Sequence, residues 1–316
     1  MSCCEKKPKA FENMHGGINF SSAFQGDGIL DLPADNWVIN EKYYKICRDR
    51  GFDNIRLPIN TDPYIGEYPE FKIHPGFFEK LDIAVNLALK NGFRIIVDLH
   101  NGCYTVNPGK FWSIWEQIAE HYKDYPENLM FELQNEPTAP TEDDWLNELQ
   151  AEAVRRIRKT NPTRGIALAC NQWNGTWKIL SVNWDLFDEN CFLDVHNYYT
   201  MDFTHQGAWW GANPNEERPP LVPFNDDMAA QITEHLELCV DYMKKTGRTI
   251  WIGECGVYFD GGIPKESAKY VEHFTKECAR FNISYAWWEF NVGFGLYRMS
   301  TENWRELVSD NMTITW

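Results

Sequence analysis

The sequence has no apolar run approaching the ~18 residues of a membrane-spanning helix. It has no C-x-x-C pair, and its nine cysteines, an odd number, form no compact disulfide framework. Cys170, Cys239 and Cys278 lie inside apolar runs, where a thiol serves as a small hydrophobe. Basic residues are scarce: 30 Lys and Arg stand against 46 Asp and Glu, for a net charge of −16. So acidic a chain repels polyanions, which argues against a nucleic acid partner and fits a neutral substrate. No G-x-G-x-x-G follows the first apolar run, and no Pro-, Ser- and Gly-rich linker divides the chain. The segment Met1–Glu12 is polar and Lys-rich and holds no apolar signal core.

What the sequence does have is aromatic rings. They make up 15% of the residues and include 14 Trp, more than a core of this size usually needs; stacking on a ligand is their other common use. With 43% hydrophobic and 24% charged residues, the composition is globular. Eight apolar, β-rich runs recur, at Gly17–Phe20, Asn54–Ile59, Arg94–Leu99, Leu129–Gln134, Gly165–Cys170, Phe192–Asn197, Thr249–Gly253 and Ser284–Phe290. Being apolar on both faces, they read as buried parallel strands. Helical stripes lie between them: Phe77, Leu81, Val85 and Ala88; Trp145, Leu149, Ala153 and Ile157; Met228, Ile232, Leu236, Cys239 and Met243; Tyr270, Phe274, Cys278 and Phe281. Gly51, Gly92 and Gly247 follow helical patterns, where C-terminal caps belong. Strand–helix alternation of this length predicts an α/β fold, a single-domain (β/α)8 TIM barrel over residues 13–316 behind an N-terminal tail of residues 1–12. A doubly wound open sheet is the alternative.

In such a barrel the chemistry collects at the C-terminal ends of the strands. The polar residues there are Arg56, His100, Asn135 with Glu136, His196 with Tyr198, Glu254, and Trp288 beside Glu289. Glu136 and Glu254 close the fourth and seventh runs. Two carboxylates facing one cleft are what glycoside hydrolysis needs. The long unpatterned stretch from Tyr199 to about Asn225, rich in Trp and Pro, is expected to belong to the binding face.

The segments NIRLPIN, VDLHN, LQNEP, VHNYY, FTHQGAWW, WIGEC and AWWEF occur in the order seen in glycoside hydrolase family 5, the cellulase-like family of retaining β-glycanases, which this sequence resembles from Gly16 to about Trp304. The resemblance implies that Glu254 is the nucleophile and Glu136 the acid/base. It places Arg56 beneath Glu254, Tyr198 as a hydroxyl donor to it, Asn135 on the sugar 2-hydroxyl, and Trp288 under the sugar at the cleavage point. His100 and His196 belong to the same constellation; His205, Trp173 and Trp209 are subsite candidates. Trp112 and Trp115 read as helix packing. Glu136 is expected to start protonated, its proton retained by the negative charge of Glu254.

The implied activity is endo-acting hydrolysis of β-1,4-glucans, cellulose or mixed-linkage glucan, by a monomer needing neither metal nor organic cofactor. Mannan or glucomannan and xyloglucan are alternative substrates, and a non-catalytic glycan-binding protein is the alternative class. A metal-dependent barrel hydrolase would want a His-x-His ending the first strand, where Ile18-Asn19-Phe20 stands. The protein is expected to be secreted or surface-attached, with Cys3 or Cys4 as a lipid-attachment position; a cytoplasmic location is the alternative.

Overall fold

The computed structural model describes residues 11, 13–21, 23–26, 28–33, 35–100, 107–138, 142–208 and 220–316. In chain order the main elements are β1 (Gly16–Asn19), α1 (Glu41–Arg50), β2 (Asn54–Ile59), α2 (Pro75–Lys90), β3 (Arg94–Leu99), α3 (Pro108–His121), β4 (Leu129–Glu132) and α4 (Asp143–Ile157). There follow β5 (Ile166–Leu168), the single turn α5 (Asn171–Asn174), β6 (Cys191–Asn197), the short α6 (Met201–Thr204), α7 (Asp226–Thr246), β7 (Ile250–Cys255), α8 (Pro264–Phe281) and β8 (Tyr285–Trp287). β1 to β8 form a closed parallel barrel in sequence order, and β8 pairs back onto β1 through Gly16 and Tyr285. Closure disposes of the open-sheet alternative. The fourth, fifth and eighth strands are shorter than the apolar runs that predicted them, because those runs continue into the loops of the active face.

Two apolar regions result. Outward residues such as Ile55, Leu57, Val97, Phe131 and Leu193 meet the helices. Phe77, Leu81, Val85 and Ala88 of α2 are fully buried there, as Trp115 of α3 is. Trp145 departs from its expected stripe: it sits on the first turn of α4 and is 44% exposed. Inside the barrel, Ile96, Met130, Ala167, Phe192, Trp251 and Ala286 form a plug with Phe11 and Met14. One alternation above that plug the inward positions turn polar, to Asn19, Arg56, Asp98, Glu132 and Asp194, all fully buried. Among the described residues no helix is long and apolar enough to cross a membrane.

Helix ends carry the expected chemistry. The Asn40 side chain accepts from Lys42 N at the start of α1, and that of Asn225 from Met228 N at the start of α7. Gly51 and Gly247 close α1 and α7 at φ 108° and 68°, where a side chain would be strained.

β7 breaks the alternation. Trp251 faces in and Ile252 faces out, so strict alternation would turn Glu254 outward. The register against β8 shifts between Ile252 and Cys255, and that against β6 jumps from Val195↔Ile252 to His196↔Glu254. This irregularity puts Cys255 into the outer core and turns Glu254 over the barrel mouth.

Candidate active site

Glu136 follows β4 with φ 37°, a conformation few non-glycine residues adopt. Glu254 stands on β7. A carboxylate oxygen of each and a ring nitrogen of His196 all lie within 4.8 Å of one another. Such closeness belongs to retaining glycosidases, whose carboxyl groups are about 5–5.5 Å apart, and not to inverting ones at about 6.5–9.5 Å.

Arg56, fully buried, holds the site from below. Its Nη1 donates to Glu254 Oε1 at 2.6 Å and to Asn19 Oδ1 at 3.1 Å. Its Nε and Nη2 donate in parallel to Glu132, both at 2.7 Å, and Nη2 also reaches Asn135 Oδ1 at 2.8 Å and Asp98 Oδ2 at 2.9 Å. One planar guanidinium thus meets three carboxylates, a geometry lysine could not match. The Tyr198 hydroxyl donates to Glu254 Oε2 at 2.8 Å, so both nucleophile oxygens are held by donors. With Asn135 Oδ1 bonded to Arg56, its amide nitrogen is the group left for a sugar hydroxyl. Burial drives the Asp98 carboxyl up to about 7 against the opposing charge of Arg56.

The acid/base carboxyl is shifted in the direction opposite to the sequence reading. Burial pushes the Glu136 carboxyl up, but the hydrogen bond and charge of His196, with His100 and Arg56, outweigh it and hold Glu136 below the ordinary glutamate value. His196 Nδ1 lies 2.7 Å from Glu136 Oε1. Burial works against a charged His196, yet Glu254, Asp194 and Glu136 raise it well above the usual histidine range. Both shifts draw the proton shared across this 2.7 Å contact toward His196. The expectation of a protonated Glu136 overlooked this imidazole.

His100 and Trp288 stack face to face, ring centres 5.3 Å apart and planes 8° from parallel. Burial, helped by Arg56, lowers His100 to about 4, so its ring is neutral at pH 7; Nδ1 lies 2.7 Å from Asp98 Oδ2. A cavity of ≈ 830 Å³ opens above the carboxylates, with Trp288 and His100 at one wall and Trp173, Trp177 and Tyr199 at another. His205 also lines it, packed edge-on to Tyr198 at 5.1 Å. Trp209, like Trp210, lies outside the described residues. Trp112 donates its indole N–H to Leu149 O and serves helix packing.

Sequence reasoning noted Asp98 at the end of the third strand without giving it a role, and passed over Glu132, Asp194 and Trp177. The three acids had a signal: Asp98 with His100, Glu132 with Gln134, and Asp194 with His196 and Tyr198 recur at the two-residue spacing of one strand face. Trp177 had none beyond being a Trp in a loop. The donor atoms of Glu136, His196 and Glu254 are close enough to invite a cation, but they already bond one another, Arg56 and Tyr198, and the arginine opposes an added positive charge. The set suits proton transfer and nucleophilic attack.

Known proteins resemble this chain in sequence and in fold. Endoglucanase H of Acetivibrio thermocellus is 32% identical over 54% of this chain, which spans only 19% of that relative's length. A hyperthermophilic endo-β-1,4-glucanase solved in complex with substrate superposes with a TM-score of 0.86 at 30% identity, covering 96% of this chain and 98% of the other. Thermotoga maritima Cel5A in complex with mannotriose gives 0.88 at 27% identity, over 97% and 100%. Residues 23–293 match the profile of the cellulase family, glycosyl hydrolase family 5. A closed (β/α)8 barrel, two carboxylates at retaining distance just after β4 and on β7, and a profile match over most of its length establish that the chain belongs to glycosyl hydrolase family 5.

Proposed function

We propose that the protein is an endo-acting β-1,4-glucanase that hydrolyses soluble β-glucan with retention of configuration. The observation that carries this reading is the Glu136–Glu254 pair, within 4.8 Å and in opposite settings: Glu254 between Arg56 and Tyr198, Glu136 against His196. The line from β4 to β7 divides the barrel mouth. On the side of β8, β1, β2 and β3 stand Trp288, His100 and Asn135, which suit the sugar under attack. On the side of β5, β6 and α7 stand Trp173, Trp177 and Tyr199, which suit the departing chain. Rings on both sides of the carboxylates fit a substrate cut within its length.

Glu254 attacks the anomeric carbon while a proton passes from His196 through Glu136 to the leaving oxygen. Ester formation removes the negative charge of Glu254, the leading favourable influence on the His196 cation, so the imidazole releases its proton more readily at that stage. In the second step Glu136 takes a proton from water and returns it to His196, and the hydroxide displaces Glu254. The starting protonation is thereby restored. An extracellular location is part of this proposal, because a polymeric glucan does not enter a cell.

Purified protein given carboxymethylcellulose and mixed-linkage glucan should release reducing ends while chain length falls early, and proton NMR should show the β-anomer first. An α-anomer as first product, or no cleavage of any β-glucan, would overturn the proposal. The mannotriose complex of the Thermotoga maritima neighbour supports a second reading, β-mannan or glucomannan as substrate; the same panel with mannan decides between them.

A further inference from the structure

Asp194 takes no direct step in the chemistry above, yet it touches His196 and the backbone just before Glu254. It is fully buried on β6, two residues before His196. Its Oδ1 accepts the backbone N–H of Gly253, the residue before Glu254, at 2.8 Å. Its Oδ2 accepts from Nδ2 of Asn174 at 2.7 Å. The same oxygen lies 3.0 Å from His196 Nε2, an ion-pair contact off the line of a well-formed hydrogen bond. The fit at β7 is tight: a Cβ at position 253 would stand 2.2 Å from Asp194 Oδ1, so glycine there makes room for the carboxylate.

Asn174 is an unusual anchor. Gln172, Trp173 and Asn174 take φ of 55°, 60° and 53°, three left-handed residues in a row, which persist only where surrounding contacts hold them. Asn174 is fully buried and its bond to Asp194 is such a contact. The loop it anchors carries Trp173 and Trp177, 54% and 50% exposed, and Trp177 Nε1 donates to Gln172 Oε1 at 3.0 Å.

From these contacts we propose that Asp194 is a positioning residue: one buried carboxylate holds His196 against Glu136, seats the backbone just before Glu254, and ties both to the aromatic loop on the leaving-group side. This rests on the reading of Glu136 as acid/base. A carboxylate suits the task because it only accepts, and its three partners all donate. An acceptor at Nε2 keeps a proton on that nitrogen, so Nδ1 faces Glu136 with a second one. The other titratable groups facing His196 are Glu132 and Glu136 from the β4 segment, Glu254 from β7 and His100 after β3. The carboxylates there already serve Arg56, the nucleophile or the leaving group, which leaves Asp194 as the dedicated partner of Nε2.

Asp194→Asn is nearly isosteric. Its carbonyl oxygen keeps the Gly253 N–H, but its amide would put a donor against the donors of Asn174 and His196. The imidazole relieves this by giving up its Nε2 proton, so the cation is lost. The alkaline limb of the kcat/KM profile on soluble β-glucan should then move down by about 1–3 pH units. Asn174→Gly, which suits a left-handed position, should leave that limb in place and raise KM for the polymer about 3–10-fold, the size of one lost aromatic contact. An Asp194→Asn enzyme slowed by one factor at every pH would mean that Asp194 only packs the barrel, and the proposal would fall. Should that variant not fold, nitrogen NMR of the unaltered protein decides: His196 should carry protons on both ring nitrogens at pH 7.5, above the ordinary value of about 6.5. A neutral His196 at that pH overturns the proposal. The NMR signal needs no turnover, so failure to cut any glycan counts against the proposed function and is told apart from failure here.

Discussion

Replacing Glu289 by Gln is expected to stabilise the protein at pH 7 and leave its stability unchanged at pH 4. Glu289 follows Trp288 and is only 5% exposed. Burial first, then the charge of Glu254, push its carboxyl from 4.5 up to about 8, against a backbone bond from Phe294. The folded protein therefore holds this proton at pH 7, while the unfolded chain has released it. A carboxyl raised on folding contributes fully below its unfolded value and loses that contribution as pH rises toward the folded one. Each pH unit between 4.5 and 8 lowers stability by about 1.4 kcal/mol. At pH 7 the loss is about 3 kcal/mol, a large part of the stability of an ordinary domain. Gln is neutral throughout and matches the protonated carboxyl in shape and in having one donor and one acceptor side. Other titrating groups are common to both proteins and cancel in the difference. Urea unfolding followed by Trp fluorescence should give a gap near zero at pH 4, about 1 kcal/mol at pH 5.5 and about 3 kcal/mol at pH 7, with the variant more stable. A gap that does not change with pH, or a variant less stable at pH 7, would refute the reasoning.

Four variants at the site have expected outcomes. Tyr198→Phe removes one charge-assisted bond to Glu254 and should lower kcat and kcat/KM together by about 10–100-fold, measured by initial rates on β-glucan. Glu254→Ala should abolish turnover, and added azide should give a sugar azide of inverted configuration. Glu136→Ala should show a burst on an aryl glycoside with a good leaving group, and azide should then yield the retained product; inverted azide from both variants would reverse the assignment. Trp177→Ala should raise KM for long substrates about 3–10-fold and leave an aryl glycoside, which lacks the departing chain, unaffected.

Much of this protein was legible in the chain itself. Eight apolar runs separated by helical stripes specify a barrel because periodicity is a property of neighbours in sequence. Arg56, Asn135, Glu136, Tyr198 and Glu254 were visible because each stands in a short recognisable segment, Arg56 within β2 and the others at or just past strand ends. Tertiary structure decided the rest. Trp145 has the spacing of a core residue, but on the first turn of α4 it is left 44% exposed while Leu146 beside it is buried. Strand alternation would turn Glu254 away from the cleft; the register shift in β7, set by pairing with β6 and β8, turns it in. The three left-handed residues before Gly175 stay in place through the contact of Asn174 with Asp194, twenty positions along the chain. The proton of the acid/base pair was the least legible of all. Its position depends on charges brought together from β2, β4, β6 and β7 within a buried space where water screens them little. That sum exists only once the barrel has closed.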